Sequence, residues 1–241
     1  MSDAASRPLD VKAFYDEYGQ AAIGVNARHR AILGWVRHFG LRPDHRVLEI
    51  GCGVGHLTAL LAAALGPEGS LVGVDLSPVS VEAAGERVAA FGKNVRLTAA
   101  DVLEADLDGS FDVVVLPDVI EHIPLDRHSV LFERVASWVK PDGFVLLHYP
   151  NPHYLEWFHE HRPDRLQIID QPVHADVLLS NAYPHGLYLD YLERYSIWVR
   201  EGEYVVAVLR PLTGTGTFTR LPPRRPSLAA RIGGRVRRLA R

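Results

Sequence analysis

Short apolar runs alternate with helix-like segments through the middle of the chain. The runs RVLEI, LVGVDL, NVRLT, FDVVVL and FVLLHY begin at residues 46, 71, 94, 111 and 144. They are apolar almost throughout, which is typical of strands buried on both faces of a parallel sheet. Helical patterns lie between them over 56–65, after the Ser77-Pro78 start signal and over about 125–139. The alternation predicts an α/β fold with helices on both faces of the sheet.

The two ends of the chain break this rhythm. Residues 8–40 carry apolar positions at helical spacing up to Gly40, which predicts a helical region. Near the other end, Tyr195–Arg200 and Tyr204–Arg210 flank a Glu-Gly-Glu turn, which predicts a β-hairpin. We therefore divide the chain into an N-terminal helical lid (1–43), an α/β core (44–150), an aromatic- and histidine-rich insertion (151–193), a final hairpin (194–212) and a mobile basic tail (213–241).

Composition and charge narrow the function classes. The chain has 241 residues, of which 47% are hydrophobic and 23% are charged. Cys52 is its one cysteine, so an intramolecular disulfide and a cysteine-based zinc site are excluded. Eight arginines and no acid follow residue 219, which leaves 18 basic and 29 acidic residues before it. An acidic body argues against a nucleic-acid-binding surface. The first ten residues lack an apolar signal core, and we expect a cytoplasmic protein without stable membrane insertion.

The clearest motif is the glycine-rich loop Glu49–Gly55 (EIGCGVG), between the first strand and its helix. Glycines let the backbone turn tightly and approach a ligand, and ligands of open α/β sheets bind at the carboxyl ends of strands. Asp75 and Asp101 follow the second and third strands. Asp75 can accept hydrogen bonds from ribose hydroxyls, and Asp101 with Val102 can hold the edge and face of an adenine. An adenosine-bearing ligand satisfies all of these positions.

Two common nucleotide motifs do not fit this loop. A dinucleotide fingerprint needs a third glycine, but the two registers place His56 or Thr58 there. A nicotinamide-dependent oxidoreductase is therefore disfavoured. The chain also lacks the G-x-x-x-x-G-K-[ST] loop of P-loop nucleotide hydrolases.

At these residues the sequence resembles the class I S-adenosylmethionine-dependent methyltransferases. The E-x-G-x-G-x-G loop, the acids Asp75 and Asp101 and the segment Phe111–Asp118 match that family in order, over roughly residues 44–150. The resemblance implies a Rossmann-like, seven-stranded, mostly parallel sheet with a terminal antiparallel hairpin. It also implies S-adenosylmethionine as cofactor and S-adenosylhomocysteine as product. The donor-site residues that we assign on this basis are Tyr15, Glu49, Gly51, Gly53, Gly55, Asp75, Leu76, Asp101, Val102 and Pro117.

A general base is needed if the methyl acceptor is a hydroxyl, and histidine is the usual choice near neutral pH. His122 lies in PDVIEHIP (117–124), which resembles the E-H segment of ubiquinone-biosynthesis-type methyltransferases. It is the first candidate for the catalytic base, and His153, after the fifth strand, is the second. The alternative is that Glu121 and His122 only brace the next helix.

The insertion lies where methyltransferases of this class place acceptor-binding elements. Asn151, Trp157 and Tyr183 are the candidate substrate-binding residues, although such aromatics also suit the core of a small helical cap. We expect no metal, because His159 and His161 point apart on a helix and no paired Asp-Asn motif is present.

These features together predict an enzyme that methylates a small-molecule acceptor, with natural-product or sugar tailoring favoured and the methylated O, N or C atom left open. Two alternatives are a ligand-binding module of the same fold without catalysis and a nicotinamide-dependent oxidoreductase. A homodimer is compatible with the sequence.

Overall fold

The apolar runs form the strands of one sheet. The computed structural model describes residues 11–18 and 24–212, and within them seven strands pair. The strands are β1 (Arg46–Ile50), β2 (Ser70–Asp75), β3 (Val95–Ala99), β4 (Phe111–Pro117), β5 (Val139–Pro150), β6 (Leu187–Tyr195) and β7 (Tyr204–Pro211). The α-helices of the same residues are α1 (Val11–Tyr18), α2 (Ala27–His38), α3 (His56–Ala64), α4 (Pro78–Val88), α5 (His128–Trp138), α6 (Pro152–His161) and α7 (Ala175–Ala182).

The strand order is β3-β2-β1-β4-β5-β7-β6. Strands β1 to β5 pair in parallel, whereas β7 is antiparallel to both β5 and β6. Glu49 of β1 pairs with Gly73 of β2 and Val115 of β4, so these three strands end at the same edge. The expected mostly parallel sheet with a terminal antiparallel pair is confirmed.

Continuous apolar strands are explained by a core on each face of the sheet. Val113 and Val115 of β4 pack in the cluster that includes Ile32 of α2, while Val114 and Leu116 pack in the cluster that includes Phe132 of α5. Successive strand residues point to opposite faces, so every position of β4 meets a helix layer. This burial on both sides fixes the edge where the strands end.

The predicted helical region 8–40 is not continuous. Helix α1 ends at Tyr18 and α2 begins at Ala27, with Asn26 as its N-cap. The side chain of Asn26 accepts the backbone N–H groups of Arg28 and His29. Because an asparagine that caps has non-helical backbone angles, it interrupts the apolar periodicity that suggested one segment.

The start of β5 is also earlier than predicted. The strand begins at Val139 rather than Phe144, because Val139 pairs with Phe111 before the ladder resumes at Phe144 and Val113. Residues 140–143, between the predicted helix over about 125–139 and the predicted strand from 144, lie in the irregularity between these two pairs. A bulge of this kind leaves extra residues on one strand and is not visible in a hydrophobic pattern.

The predicted first arm of the hairpin, Tyr195–Arg200, is wrong. Strand β6 occupies Leu187–Tyr195, and residues 196–203 form the connection to β7. The carboxylate of Glu203 accepts the N–H groups of Ile197, Trp198 and Val199 at 2.9, 2.6 and 3.2 Å, and these bonds hold the connection out of the ladder. The insertion between β5 and β6 therefore spans 151–186, so the predicted boundary at 193 falls within β6.

Some predicted segments lie outside the described residues. They are residues 1–10 and 19–23 of the N-terminal segment and the tail from 213 to 241. Within the described ranges, none of the helices combines the length and the apolar character needed to cross a bilayer.

Candidate active site

A cavity of about 710 Å³ opens where β1, β2 and β4 end. The glycine loop forms its floor, α1 contributes Val11 and Tyr15, and the insertion contributes residues between Tyr154 and Asp170. Nine of the ten predicted donor-site residues line it, all except Gly55. The sequence motif and the cavity therefore coincide.

The three glycines of the loop have different roles. All have positive φ, +78° at Gly51, +48° at Gly53 and +82° at Gly55, where side chains are disfavoured. A Cβ at Gly51 would overlap Val119, and one at Gly55 would meet Ala84. A Cβ at Gly53 would meet no protein atom within 4 Å, and Gly53 lines the cavity. Gly53 is therefore where the backbone leaves room for a ligand.

Asp75 joins the loop to the end of β2. Its Oδ2 accepts the N–H of Gly53 at 2.7 Å, and its Oδ1 accepts the N–H of Ser77 at 2.9 Å. Burial raises the pKa of the Asp75 carboxyl above its usual value, although these hydrogen bonds oppose the change. A carboxylate has about four acceptor positions, so Asp75 keeps capacity for ligand hydroxyls.

The remaining donor-side residues surround this carboxylate. Asp101 is exposed, and its Oδ1 accepts the N–H of Leu103 at 2.8 Å, which fixes the turn after β3. Leu76, Val102 and Pro117 add apolar walls. Such a set can hold a planar base between apolar side chains with a carboxylate at its edge.

Glu49 lies beneath the loop with no solvent exposure. Burial, helped by the nearby charge of Asp75, raises the pKa of Glu49 to about 8. The first acid of the motif is thus a buried, protonated group at neutral pH.

His122 lies in the short 3-10 turn after β4. Its Nδ1 is 2.6 Å from the carbonyl oxygen of Ile169, which can only accept, so Nδ1 carries the hydrogen. Nε2 is then the basic nitrogen, and it lies 3.8 Å from Oε1 of Glu121. The ring also meets that of Tyr15, with centroids 5.9 Å apart. This is the arrangement that a general base requires.

A buried polar chain lies beside His122, and sequence analysis did not identify it as a site. Asp118 receives Arg28 Nη1 at 3.0 Å on Oδ2 and His148 Nδ1 at 2.8 Å on Oδ1. His148 Nε2 lies 2.7 Å from the hydroxyl of Tyr195. Burial alone would raise the pKa of Asp118, but His148 and Arg28 outweigh it and hold this pKa below its usual value. Asp118 also has a φ of +53°, a strained conformation that often marks functional positions.

Part of the chain is similar in sequence to known methyltransferases. Residues 47–143 match the family model described as "Methyltransferase domain". The demethylmenaquinone methyltransferase of Staphylococcus aureus is 30% identical over 112 residues, which are 46% of this chain and 45% of that protein. The chain therefore spans less than half the length of this curated relative.

Solved structures share the fold. The N-methyltransferase NodS from Bradyrhizobium japonicum, in complex with S-adenosylhomocysteine, aligns with a TM-score of 0.64 at 17% identity, over 84% of this chain and 100% of that chain. The magnesium protoporphyrin IX methyltransferase from Synechocystis, also with bound S-adenosylhomocysteine, aligns with a TM-score of 0.59 at 19% identity, over 87% of this chain and 90% of that chain. The chain therefore shares its fold with these two structures. Its fold class is the one expected from the sequence.

The structure does not bring the second base candidate into the cavity. The side chain of His153 is 72% exposed, and its Nδ1 pairs with Glu156 at 2.9 Å. Asn151 is the N-cap of α6, and its amide donates to the carbonyl of Gly202 at 2.7 Å. Asn151 therefore has a structural role at the start of the insertion rather than a place beside the acceptor.

The two predicted aromatic contacts also lie elsewhere. Trp157 is 46% exposed and stacks on His161, while Tyr183 packs against Tyr188. The phase of α6 explains this, because Tyr154 and Phe158 share the inward face that lines the cavity. The insertion does line the cavity, with residues other than those predicted.

Arg28 and His29, near the start of α2, also line the cavity. Arg28 is engaged by Asp118, and burial together with the Arg28 charge lowers the pKa of His29 to about 4. His29 is thus neutral at pH 7, and its Nδ1 accepts the N–H of Asn26 at 3.1 Å. In the part of the chain that the structure describes, three or more His, Cys, Asp or Glu side chains do not group in a way that could hold a metal ion.

Proposed function

We propose that this protein transfers a methyl group from S-adenosylmethionine to a small-molecule acceptor and releases S-adenosylhomocysteine. The observation that carries the proposal is the carboxylate of Asp75, held at the cavity by the N–H of Gly53, beside the open space that Gly53 leaves. This is the arrangement that a ribose requires at the end of a second strand. The names of the relatives, and the S-adenosylhomocysteine bound in two structures of the same fold, support the same donor.

In this proposal the donor-side residues contact different parts of the donor. Asp75 accepts hydrogen bonds from the ribose hydroxyls, and Asp101 with Leu76 and Val102 holds the adenine. Tyr15 of α1 lines the cavity between this group and His122, so α1 covers the reacting end of the ligand. When bound, the donor supplies an electrophilic methyl group on a sulfonium, so the protein mainly positions the acceptor and excludes water.

The acceptor side favours a small apolar or ring-containing molecule. Tyr154, Leu155 and Phe158 give this part of the cavity an apolar wall, and residues 165–170 enclose it. A cavity of about 710 Å³ shared with the donor leaves room for a small molecule. The relative that acts on demethylmenaquinone and the structure that acts on magnesium protoporphyrin IX, by their names, take ring systems of this kind. Natural-product tailoring remains our favoured setting.

For a hydroxyl acceptor, we assign His122 as the general base. Its Nδ1 donates to the Ile169 carbonyl, so Nε2 has the lone pair that takes the proton while the oxygen bonds to the methyl carbon. Base catalysis of this type contributes about 10²–10⁴-fold.

The test is a turnover screen with donor labelled in its methyl group. The purified protein is incubated with a panel of phenols, hydroquinones, sugars, amines and indoles. We expect labelled product and S-adenosylhomocysteine in equal amounts, with Asp75→Asn strongly impaired. Binding of a nicotinamide dinucleotide, with no affinity for either adenosylated ligand, would overturn the proposal. Donor binding without turnover of any acceptor would favour a binding module of the same fold.

A further inference from the structure

We propose that Asp170, together with the carbonyl of Ile169, positions His122 as the base, so that a segment of the insertion completes the catalytic group. This inference rests on the proposed function. The carbonyl oxygen of Ile169 lies 2.6 Å from His122 Nδ1, and Oδ1 of Asp170 lies 3.4 Å from the same nitrogen. Both partners come from residues 165–171, which we call the cover segment, and not from the turn that carries His122.

The cover segment is held in place by bonds to two neighbouring elements and by one bond within the segment. The N–H of Gln171 donates to the carbonyl of Glu121 at 3.0 Å, which ties the segment to the turn of His122. Nε2 of His159, on α6, donates to the carbonyl of Asp170 at 2.6 Å. The N–H of Gln167 donates to Oδ2 of Asp170 at 2.8 Å. Oδ1, the other carboxylate oxygen, is the one that faces His122.

This arrangement defines which nitrogen of His122 reacts. A ring whose Nδ1–H donates to the cover segment has its lone pair on Nε2. When Nε2 takes a proton the ring becomes a cation, and the carboxylate of Asp170 then lies beside it at Nδ1. An acid that orients a histidine and stabilises its cation is the third member of a nucleophile, base and acid set.

The other acidic groups near His122 do not replace Asp170. Oε1 of Glu121 faces Nε2 at 3.8 Å and not Nδ1, and burial raises the pKa of this carboxyl well above its usual value. Asp118, at the end of β4, is bound by Arg28 and His148. The ring of Tyr15 of α1 lies against the imidazole, with centroids 5.9 Å apart. The carboxylate whose oxygen lies closest to His122 Nδ1 among these groups is that of Asp170.

The cover segment also lines the cavity through Arg165, Leu166, Gln167 and Asp170. The same residues therefore enclose the acceptor and orient the base. It follows that the base has its working geometry only while the cover segment lies over the acceptor side.

The first test is spectroscopic and needs no acceptor. In protein labelled with ¹⁵N-histidine, the resonances of His122 are assigned by their absence in His122→Gln. We expect wild-type His122 in the neutral form to carry its hydrogen on Nδ1. In Asp170→Ala, which loses the carboxylate and the bond from Gln167, we expect the Nε2–H tautomer to appear. A wild-type His122 protonated on Nε2 would overturn the inference, even if the variants failed to fold.

The second test is kinetic and uses the panel acceptor with the highest turnover. Asp170→Asn keeps an oxygen for the N–H of Gln167 but removes the charge, and Asp164→Asn is the matched control. Asp164 is exposed on the preceding turn, where it pairs with Arg162. We expect kcat of Asp170→Asn to fall roughly 10- to 100-fold, a part of what base catalysis contributes. The KM for the acceptor and the affinity for S-adenosylhomocysteine should change less than about twofold, because the lost interaction acts in the transition state, and Asp164→Asn should match wild type.

The outcomes separate this inference from the proposed base. If His122→Gln keeps full turnover, the assignment of the base is wrong, and the positioning role of Asp170 is wrong with it. If His122→Gln loses activity while Asp170→Asn keeps the kcat and tautomer of wild type, only the role of Asp170 is overturned. A rise in KM with unchanged kcat in Asp170→Asn would also overturn it, because Asp170 would then contribute to acceptor binding alone.

Discussion

Glu49 makes the stability of the protein depend on pH in a direction that is unusual for a carboxylate. Its side chain is fully buried, and its pKa in the folded protein is about 8. An unfolded glutamate loses its proton near pH 4.3. Between these values the folded state keeps a proton that the unfolded state has lost, so the free energy of unfolding decreases as the pH rises. The contribution is fully favourable below the unfolded value and is lost by about pH 8.

The substitution Glu49→Gln removes this titration and keeps the shape of the side chain. With 1.36 kcal/mol for each pKa unit, the wild type loses roughly 3 to 4 kcal/mol at this residue between about pH 5 and pH 8.5. The variant Glu49→Gln lacks this titrating group and does not lose this free energy, and all other titrating groups are common to the two proteins. We therefore expect the variant to gain stability relative to wild type by that amount over this pH interval.

The assay is urea unfolding of both proteins at the two pH values, without donor. Glu68→Gln is the control, because Glu68 is exposed. The reasoning about burial at Glu49 would be refuted by a difference between variant and wild type that changes by less than about 1 kcal/mol between the two pH values.

Three further expectations follow from the same structure. Gly51→Ala should lower the free energy of unfolding by roughly 2 to 4 kcal/mol, because it adds overlap with Val119 to an unfavourable φ. Gly53→Ala should lower it by only about 1 to 2 kcal/mol but weaken binding of S-adenosylhomocysteine at least tenfold. Equal effects of the two substitutions in both assays would contradict the separate roles of these glycines. His122→Gln should reduce kcat about 10²–10⁴-fold on a hydroxyl acceptor, with unchanged donor affinity by calorimetry. Glu203→Gln should destabilise the protein by roughly 1.5 to 3 kcal/mol in urea unfolding above about pH 5 and by less at lower pH. The reason is that the hydrogen bonds that lower the pKa of Glu203 are lost once its carboxylate is protonated. A difference in stability between variant and wild type that stays constant down to about pH 3 would argue against this.

The sheet, and the edge at which the glycine loop and Asp75 meet, were predictable for a physical reason. Strands buried on both faces must be apolar at nearly every position, so their sequence marks them directly. The glycine loop and Asp75 follow the ends of such strands, and a parallel sheet brings those ends to one edge. The local sequence was therefore enough to predict the sheet and the positions of the glycine loop and Asp75.

The acceptor side was less predictable because it depends on contacts between distant segments. Five of the nine residues of β6 are exposed, so β6 lacks the continuous apolar pattern of the buried strands. The carboxylate of Glu203, in turn, folds a β-like segment into a loop. The phase of α6 decided that Phe158 and not Trp157 lines the cavity. The contact between Ile169 and His122 joins residues 47 positions apart, and no local pattern encodes it.

The most direct test of the account is calorimetric titration of S-adenosylhomocysteine into the wild type and into Asp75→Asn. The variant keeps an oxygen acceptor beside Gly53 and Ser77, and its circular dichroism should match that of wild type. We predict one site per wild-type chain, and a roughly 10- to 150-fold higher Kd in the variant, because the charge-assisted bonds to the ribose contribute about 1.5 to 3 kcal/mol. No binding to the folded wild type, or equal affinity in the two proteins, would contradict the claim that this cavity holds the methyl donor.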